Sequence, residues 1–337
     1  MITNNQINFY FLTPLFILAL YFGKFLLVPL LFSLFIFIIL KSSSKKLSSN
    51  KFFKINYELS FLLISIFFIL LIYFIGILLE SNLKKVINNS QLYQNNFVIV
   101  FDSIKNSKIA SLPVSIDNFI SNLNFTSIFS KILNSLTGIA GNISLIFLYL
   151  IFIVLEEKLF KSKILKFPSN KSSMTIINKI NNEIFSYFQL KTLTSLLTGI
   201  LTFMTLSFFN NDLSIFFGLL SFLLNFIPFL GSIFSVILPF VFSLIQFLDL
   251  VQATFIIVIL IFIQILVGNF IEPKLMGKSL NLSPIVMLIT LSLMAKLWGI
   301  SGMFLSIPLL VVLLIIFSNF KSTHKIAIFL SEKGEIH

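Results

Sequence analysis

Long apolar stretches separated by short polar ones run through nearly the whole chain, and their lengths and breaks define the elements. Residues 9 to 40 are apolar except for Gly23-Lys24 near the middle, which predicts two short helical segments folded as a tight hairpin. Leu59 to Leu79 is uninterrupted. At 1.5 Å per residue such a run reaches roughly 31 Å, enough for one crossing of a hydrocarbon layer about 30 Å thick. Leu136 to Leu155 and Thr192 to Phe209 predict two further crossings. Residues 213 to 247 are then apolar but interrupted at Pro228 and Gly231 and again at Pro239. Val251 to Ile271 reads as an intact helix, and residues 284 to 317 as another interrupted stretch, broken at Lys296, Gly299, Gly302 and Pro308. Two interrupted hairpins thus flank one intact helix. The pattern predicts an all-α, polytopic integral membrane protein with re-entrant hairpins.

The polar segments divide this scaffold. Residues 1–79 hold the first hairpin and one span, and residues 80–135, more polar and containing Pro113, read as an extracytoplasmic region. There Ile116, Phe119, Ile120 and Leu123, then Ile128, Phe129, Ile132 and Leu133, recur at helical spacing and predict amphipathic helices, packed on the chain's own spans or lying at the membrane surface. Residues 136–320 form a carboxy-terminal transmembrane core with a loop at 156–191, and residues 321–337 a tail. Lys41, Lys45, Lys46, Lys51 and Lys54 crowd one loop, and seven lysines against three glutamates crowd residues 156–191. By the positive-inside rule both loops face the cytoplasm. Ile176, Ile180, Ile184 and Phe188 form an i, i+4 stripe that predicts an interfacial helix leading into the span at Thr192. No A-x-A-like site follows the first apolar run, so a removable signal peptide is not expected.

Composition agrees. Of the 337 residues, 57% are hydrophobic and 11% charged, outside the range of soluble globular domains. The net charge of +12 is carried by lysines in the short loops, which suits an anionic membrane face and not a nucleic-acid surface. With no Cys there is no disulfide framework or thiolate site, and His324 and His337 both lie in the tail. No metal and no cofactor is expected. Neither a G-x-x-x-x-G-K-[ST] nor a G-x-G-x-x-G pattern occurs, so ATP-driven pumping and dinucleotide chemistry have no basis here. No His lies in a span and no paired carboxylates share a face, so an intramembrane enzyme is not expected.

Broken membrane helices are tolerated where their freed backbone groups face protein or a water-filled cavity, and in transporters such breaks build substrate sites. The breaks at Pro228-Gly231 and at Gly299 through Pro308 are therefore the candidate site elements. Their Gly-to-Pro spacing is similar, a faint sign of internal repetition.

Three segments carry a resemblance to a known family: residues 224–231 around Asn225, Pro228 and Gly231; residues 268–280 around Asn269, Glu272, Pro273, Lys274, Gly277 and Lys278; and residues 296–302 with Pro308 beyond. In this order they resemble the autoinducer-2 exporter family of bacterial permeases. The first is similar to that family's Asn-x-Ile-Pro-aromatic-x-Gly break, the second to its Pro-Lys-x-x-Gly-Lys-Ser-Leu segment, the third to its Gly-Lys-Leu-aromatic-Gly hairpin tip. The resemblance implies about eight membrane segments in a bacterial inner membrane. It also implies a transport role, either export of a small polar molecule such as autoinducer-2 or sodium–proton antiport. Ala295 stands where many members have Gly, and Glu272 where some have a basic residue.

The candidate residues each admit two readings. Glu272, Lys274 and Lys278 cap a helix at the interface, or Glu272 exchanges a proton or cation and pairs with a nearby Lys. Lys296 snorkels from a hairpin tip or binds an anionic or hydroxylated substrate, and Lys24 invites the snorkelling reading more strongly. Gln264 and Asn269, five apart, project from different faces and by default bond neighbouring helices. Asn225 bonds carbonyls freed by the break or presents its amide to substrate. Asp249 reads as a solvated turn residue. The leading expectation is a gradient-driven transporter whose partners are the lipid bilayer and a small-molecule or ion substrate. A channel-like or scaffold homo-oligomer is a separate alternative.

Overall fold

The computed structural model describes residues 14–15, 17–50, 55–106, 125–166, 170–276 and 281–334. They are almost wholly helical. The elements are α1 (Lys24–Ser48), α2 (Tyr57–Asn88), α3 (Ser90–Asn106), α4 (Phe125–Leu165), α5 (Asn170–Phe208), α6 (Ser214–Leu224), α7 (Leu230–Phe247) and α8 (Leu250–Ile265). A π-helical turn (Leu266–Ile271) leads into α9 (Glu272–Met276), followed by α10 (Pro284–Ser318) and α11 (His324–Leu330). Among the described residues, six helices are long and apolar enough to cross a membrane by length and composition. On α2, Leu62, Phe67, Leu70, Tyr73 and Phe74 are exposed around the helix, the all-round apolar surface of a lipid-embedded span.

Two differences from the sequence reading share one cause. The lysine-rich segment at 156–191 is not a loop: α4 runs to Leu165 and α5 starts at Asn170. α5 is 39 residues long, about 58 Å at 1.5 Å per residue, so it continues well past any bilayer. The Ile176-to-Phe188 stripe belongs to this helix, and Ile184 and Phe188 on it are buried. Likewise α2 passes Leu79 and ends at Asn88, burying Leu83 and Val86. Charged side chains at helical spacing solvate one face without ending a helix, so polarity marks the membrane boundary and not the helix boundary. The predicted amphipathic residues 116–123 lie outside the described residues.

The chain clusters into two compact units. One comprises residues 66–140 and 190–275. Its core joins Leu79, Leu83 and Tyr93 to Leu206, Phe217, Phe242, Ile256, Leu260 and Val267. Within it α6 and α7 form a hairpin. Gly231 is buried, and a Cβ there would collide with the carbonyl of Leu224, seven residues earlier. Residues seven apart in one helix are about 10 Å apart, so the chain doubles back between them, with Phe229 at φ 61°. Pro239, predicted as a second break, instead lies buried within the continuous helix α7. A single proline removes one hydrogen bond, and a packed membrane helix absorbs that loss.

The other unit comprises residues 1–65, 141–189 and 276–337. Here α10 is a second hairpin: Gly299 takes φ 65°, ψ −142°. A Cβ on the buried Gly302 would collide with the carbonyl of Met294, which a straight helix would hold a dozen ångströms away. Of the four predicted breaks in this stretch, Gly299 makes the turn, and Lys296, Gly302 and Pro308 stay helical. Phe32 and Phe188 stack on Phe304, and Phe188 on Phe35. Lys41 pairs with Glu157 at 2.8 Å. The hairpin predicted at Gly23-Lys24 does not form: Gly23 stays near helical at φ −75°, ψ 0°, its amide bonds the Ala19 carbonyl and its carbonyl accepts from Leu27, so the helix runs on through the glycine. The tail is folded: α11 packs on α10, Leu282 bridges Ser331, and the Ser283 amide donates to the Leu330 carbonyl.

Candidate functional site

In the first unit, α5 carries a polar stripe through an otherwise apolar span. Lys191, Thr194, Ser195, Thr198 and Thr202 recur at three- and four-residue steps and are all buried. The hydroxyls of Thr194 and Thr198 donate to the carbonyls of Lys191 and Thr194, so they cost the helix little. α6 lies close against this face: a Cβ on Gly199 would come 2.7 Å from the Gly218 carbonyl. One helical face of α6 therefore presents Gly218, Ser221 and Asn225 to the stripe. Asn225, which closes the helix at its carboxy end, donates from Nδ2 to Ser195 Oγ at 3.1 Å. It uses its amide on a neighbouring hydroxyl and not on the carbonyls freed at the turn. The Ser221 hydroxyl is buried with no hydrogen-bond partner.

At the lysine-rich end of the stripe, Lys191 Nζ donates to Glu272 Oε1 at 2.6 Å. Only 7% of the Lys191 side chain and 18% of the Glu272 side chain is exposed. The π turn sets this contact. The Glu272 amide bonds the Val267 carbonyl, five residues back instead of four. The extra residue in that turn re-aims everything after it, and π turns recur at functional sites for this reason. A pair so withdrawn from water is held by mutual compensation, and removing one partner of a buried pair costs roughly 3–5 kcal/mol.

The predicted site residues thus separate. Asn225 and Glu272 meet the α5 stripe, with Pro228 half-buried and Gly231 buried in the hairpin turn beside Asn225. Gln264 is half-buried and Asn269 exposed. Asn269 lies within the π turn. Pro273 and Lys274 are exposed, while Gly277 and Lys278 lie outside the described residues. In the second unit, Lys296 and Gly299 are exposed and Pro308 is buried. Beside that tip, Trp298 Nε1 donates to the Leu20 carbonyl at 2.9 Å.

Sequence reasoning missed Lys191, Ser195, Thr198 and Ser221. The signal was present: Thr194, Thr198 and Thr202 repeat every four residues inside a predicted span, directly after a lysine. A second polar knot lies at the far end of α5. Asn211 Nδ2 donates to Ser243 Oγ, Asn96 Nδ2 to the Ile245 carbonyl, and Tyr93 OH to Asp212 Oδ2 at 2.6 Å. Burial, and then the bond to Asp212 and its charge, push the Tyr93 hydroxyl well above its ordinary pKa. Asp249 caps α8 by accepting from the amides of Val251 and Gln252, a more specific role than solvation. Among the described residues, no three His, Asp or Glu side chains gather to hold a metal.

Comparison with known proteins adds to this geometry. The AI-2E family transporter family matches residues 10–322. A protein of Borreliella burgdorferi named "Putative transport protein" is 33% identical over 71% of this chain and 67% of its own length. One of the same name in Haemophilus influenzae is 28% identical over 91% of this chain and 90% of its own length. The AI-2 transport protein TqsA of Escherichia coli is 27% identical, over 75% of each chain.

Proposed function

Since the chain belongs to the AI-2E family of membrane transporters, we propose that it is a gradient-driven carrier of the bacterial cytoplasmic membrane that exports a small polar solute, such as autoinducer-2. The observation that carries this reading is the buried polar stripe of α5, from Lys191 to Thr202, facing the turn of a re-entrant hairpin. Membrane helices bury hydroxyls, an amide and an ion pair at a cost, and such groups mark substrate and ion pathways. The hairpin's first limb, α6, is 11 residues long and too short for a full crossing, so the turn can present backbone and side-chain polar groups within the span. The absence of a phosphate-binding loop in the sequence leaves an ion or solute gradient as the energy source.

Purified protein in sealed vesicles, loaded with labelled autoinducer-2, tests this. Saturable efflux that depends on an imposed proton or sodium gradient is the expected result. Rapid, non-saturating flux would replace a carrier with a channel, and no flux above empty vesicles would contradict both.

A further inference from the structure

The Lys191–Glu272 pair is asymmetric in a way that points to a ligand. Lys191 lies within a 39-residue helix, in register with the buried hydroxyls of Thr194, Ser195 and Thr198. Glu272 begins a five-residue helix directly after the π turn and is the more exposed partner. Returning that turn to α-helical register would rotate the following residues by about 100° and carry the carboxylate off the ammonium. The lysine would stay behind, buried and uncompensated, which is strongly unfavourable. An occupant of the opened site that brings a negative charge restores this compensation. One helical turn from Lys191 lie Ser195 and the Asn225 amide bonded to it. One turn further along α6 is the Ser221 hydroxyl, 1% exposed and without a partner. An anionic end next to groups that bond hydroxyls defines a ligand of matching form.

Resting on the transport reading above, we propose that Lys191 is the recognition group for a small hydroxylated carboxylate, and that Glu272 holds its place while the site is empty. The ligand's carboxylate replaces that of Glu272 on the Lys191 ammonium, and the hydroxyl beside it meets Ser195 and Asn225, with Ser221 in reach only of a longer chain such as gluconate's. Charge at the site is conserved throughout: one cation and one anion before, and the same after.

The full chain in lipid nanodiscs, titrated with gluconate or lactate at constant ionic strength and followed by its thermal unfolding midpoint, tests this. Chloride, sorbitol and choline serve as controls. Wild-type protein is stabilised by the two hydroxy acids and not by the controls. Glu272→Gln removes the built-in competitor, so gluconate binds about tenfold tighter or more, as expected when a competing closed state is abolished. The double variant Lys191→Met, Glu272→Gln carries no buried charge at the site, a replacement that stability tolerates, and it no longer responds to gluconate. The proposal is overturned if the double variant responds like wild type, if Glu272→Gln gains no affinity, or if sorbitol or chloride stabilises as well as gluconate. The readout is binding, so it separates from flux. Vesicles that move neither labelled autoinducer-2 nor labelled gluconate while this binding pattern holds overturn the transport reading alone. Loss of the pattern in protein that still transports overturns this proposal alone.

Discussion

Lys191 is 6% exposed, and its charge is answered by Glu272 at 2.6 Å. In the sequence the lysine reads as the last of the seven that stud residues 156–191, and its partner is 81 residues away. A π turn cannot be read from residue type, so the aim of Glu272 at Lys191 was not legible either. The same scale supplies a test at Tyr93, whose hydroxyl bonds Asp212. Its folded-state pKa is raised, so the stability it contributes is fully present below its unfolded pKa of 10.0 and is lost as pH rises beyond that. Tyr93→Phe removes a bond to a charged group and should cost about 1.5–3 kcal/mol at neutral pH. Thermal unfolding between pH 8 and 11 should show the gap between variant and wild type narrowing at the alkaline end. A gap that widened with pH would be inconsistent with the assignment. Asn225→Ala leaves Ser195 Oγ without its buried donor and should lower stability by about 1–3 kcal/mol, measured in the same way.

Helices were the most legible elements, because runs of apolar residues long enough to span a bilayer admit few other structures. Their ends were the least legible. α2 and α5 continue past the points where polarity rises, since backbone hydrogen bonds do not depend on which side chains face water. Prolines also misled: Pro239 and Pro308 read as breaks and sit inside helices, whereas the reversals occur at 225–229 and at Gly299. The hairpins rest on glycine in two distinct ways, and substitution separates them. Gly299 has φ 65° but open space around its missing Cβ, so Gly299→Ala meets backbone strain alone, of order 1–3 kcal/mol. Gly302 has the Met294 backbone where a Cβ would be, so Gly302→Ala has to part the two limbs. The loss in unfolding midpoint should be larger for Gly302→Ala than for Gly299→Ala. The reverse order would contradict a closed hairpin.

At the scale of the molecule, apolar composition, lysine-rich segments and three short motifs were enough to give the class and the family, because a bilayer imposes its constraints on every residue it contains. They were not enough to give the site. Its polar groups are single residues drawn from α5, from α6 and from the start of α9, 30 and 81 residues from their partners on α5, and their meeting is a consequence of packing. The central claim is that the buried stripe of α5 borders the path a solute takes. The natural sequence contains no cysteine, so single cysteines introduced at Ser195, Thr198 and Thr202, with lipid-facing Leu196 and Ile200 as controls, report directly on water access. Labelling rates with a membrane-impermeant thiol reagent, measured in vesicles while a gradient drives transport, should be well above those of the controls and should fall when the gradient is collapsed. Stripe cysteines that react no faster than the lipid-facing pair would mean that the stripe is only packing and that the solute passes elsewhere.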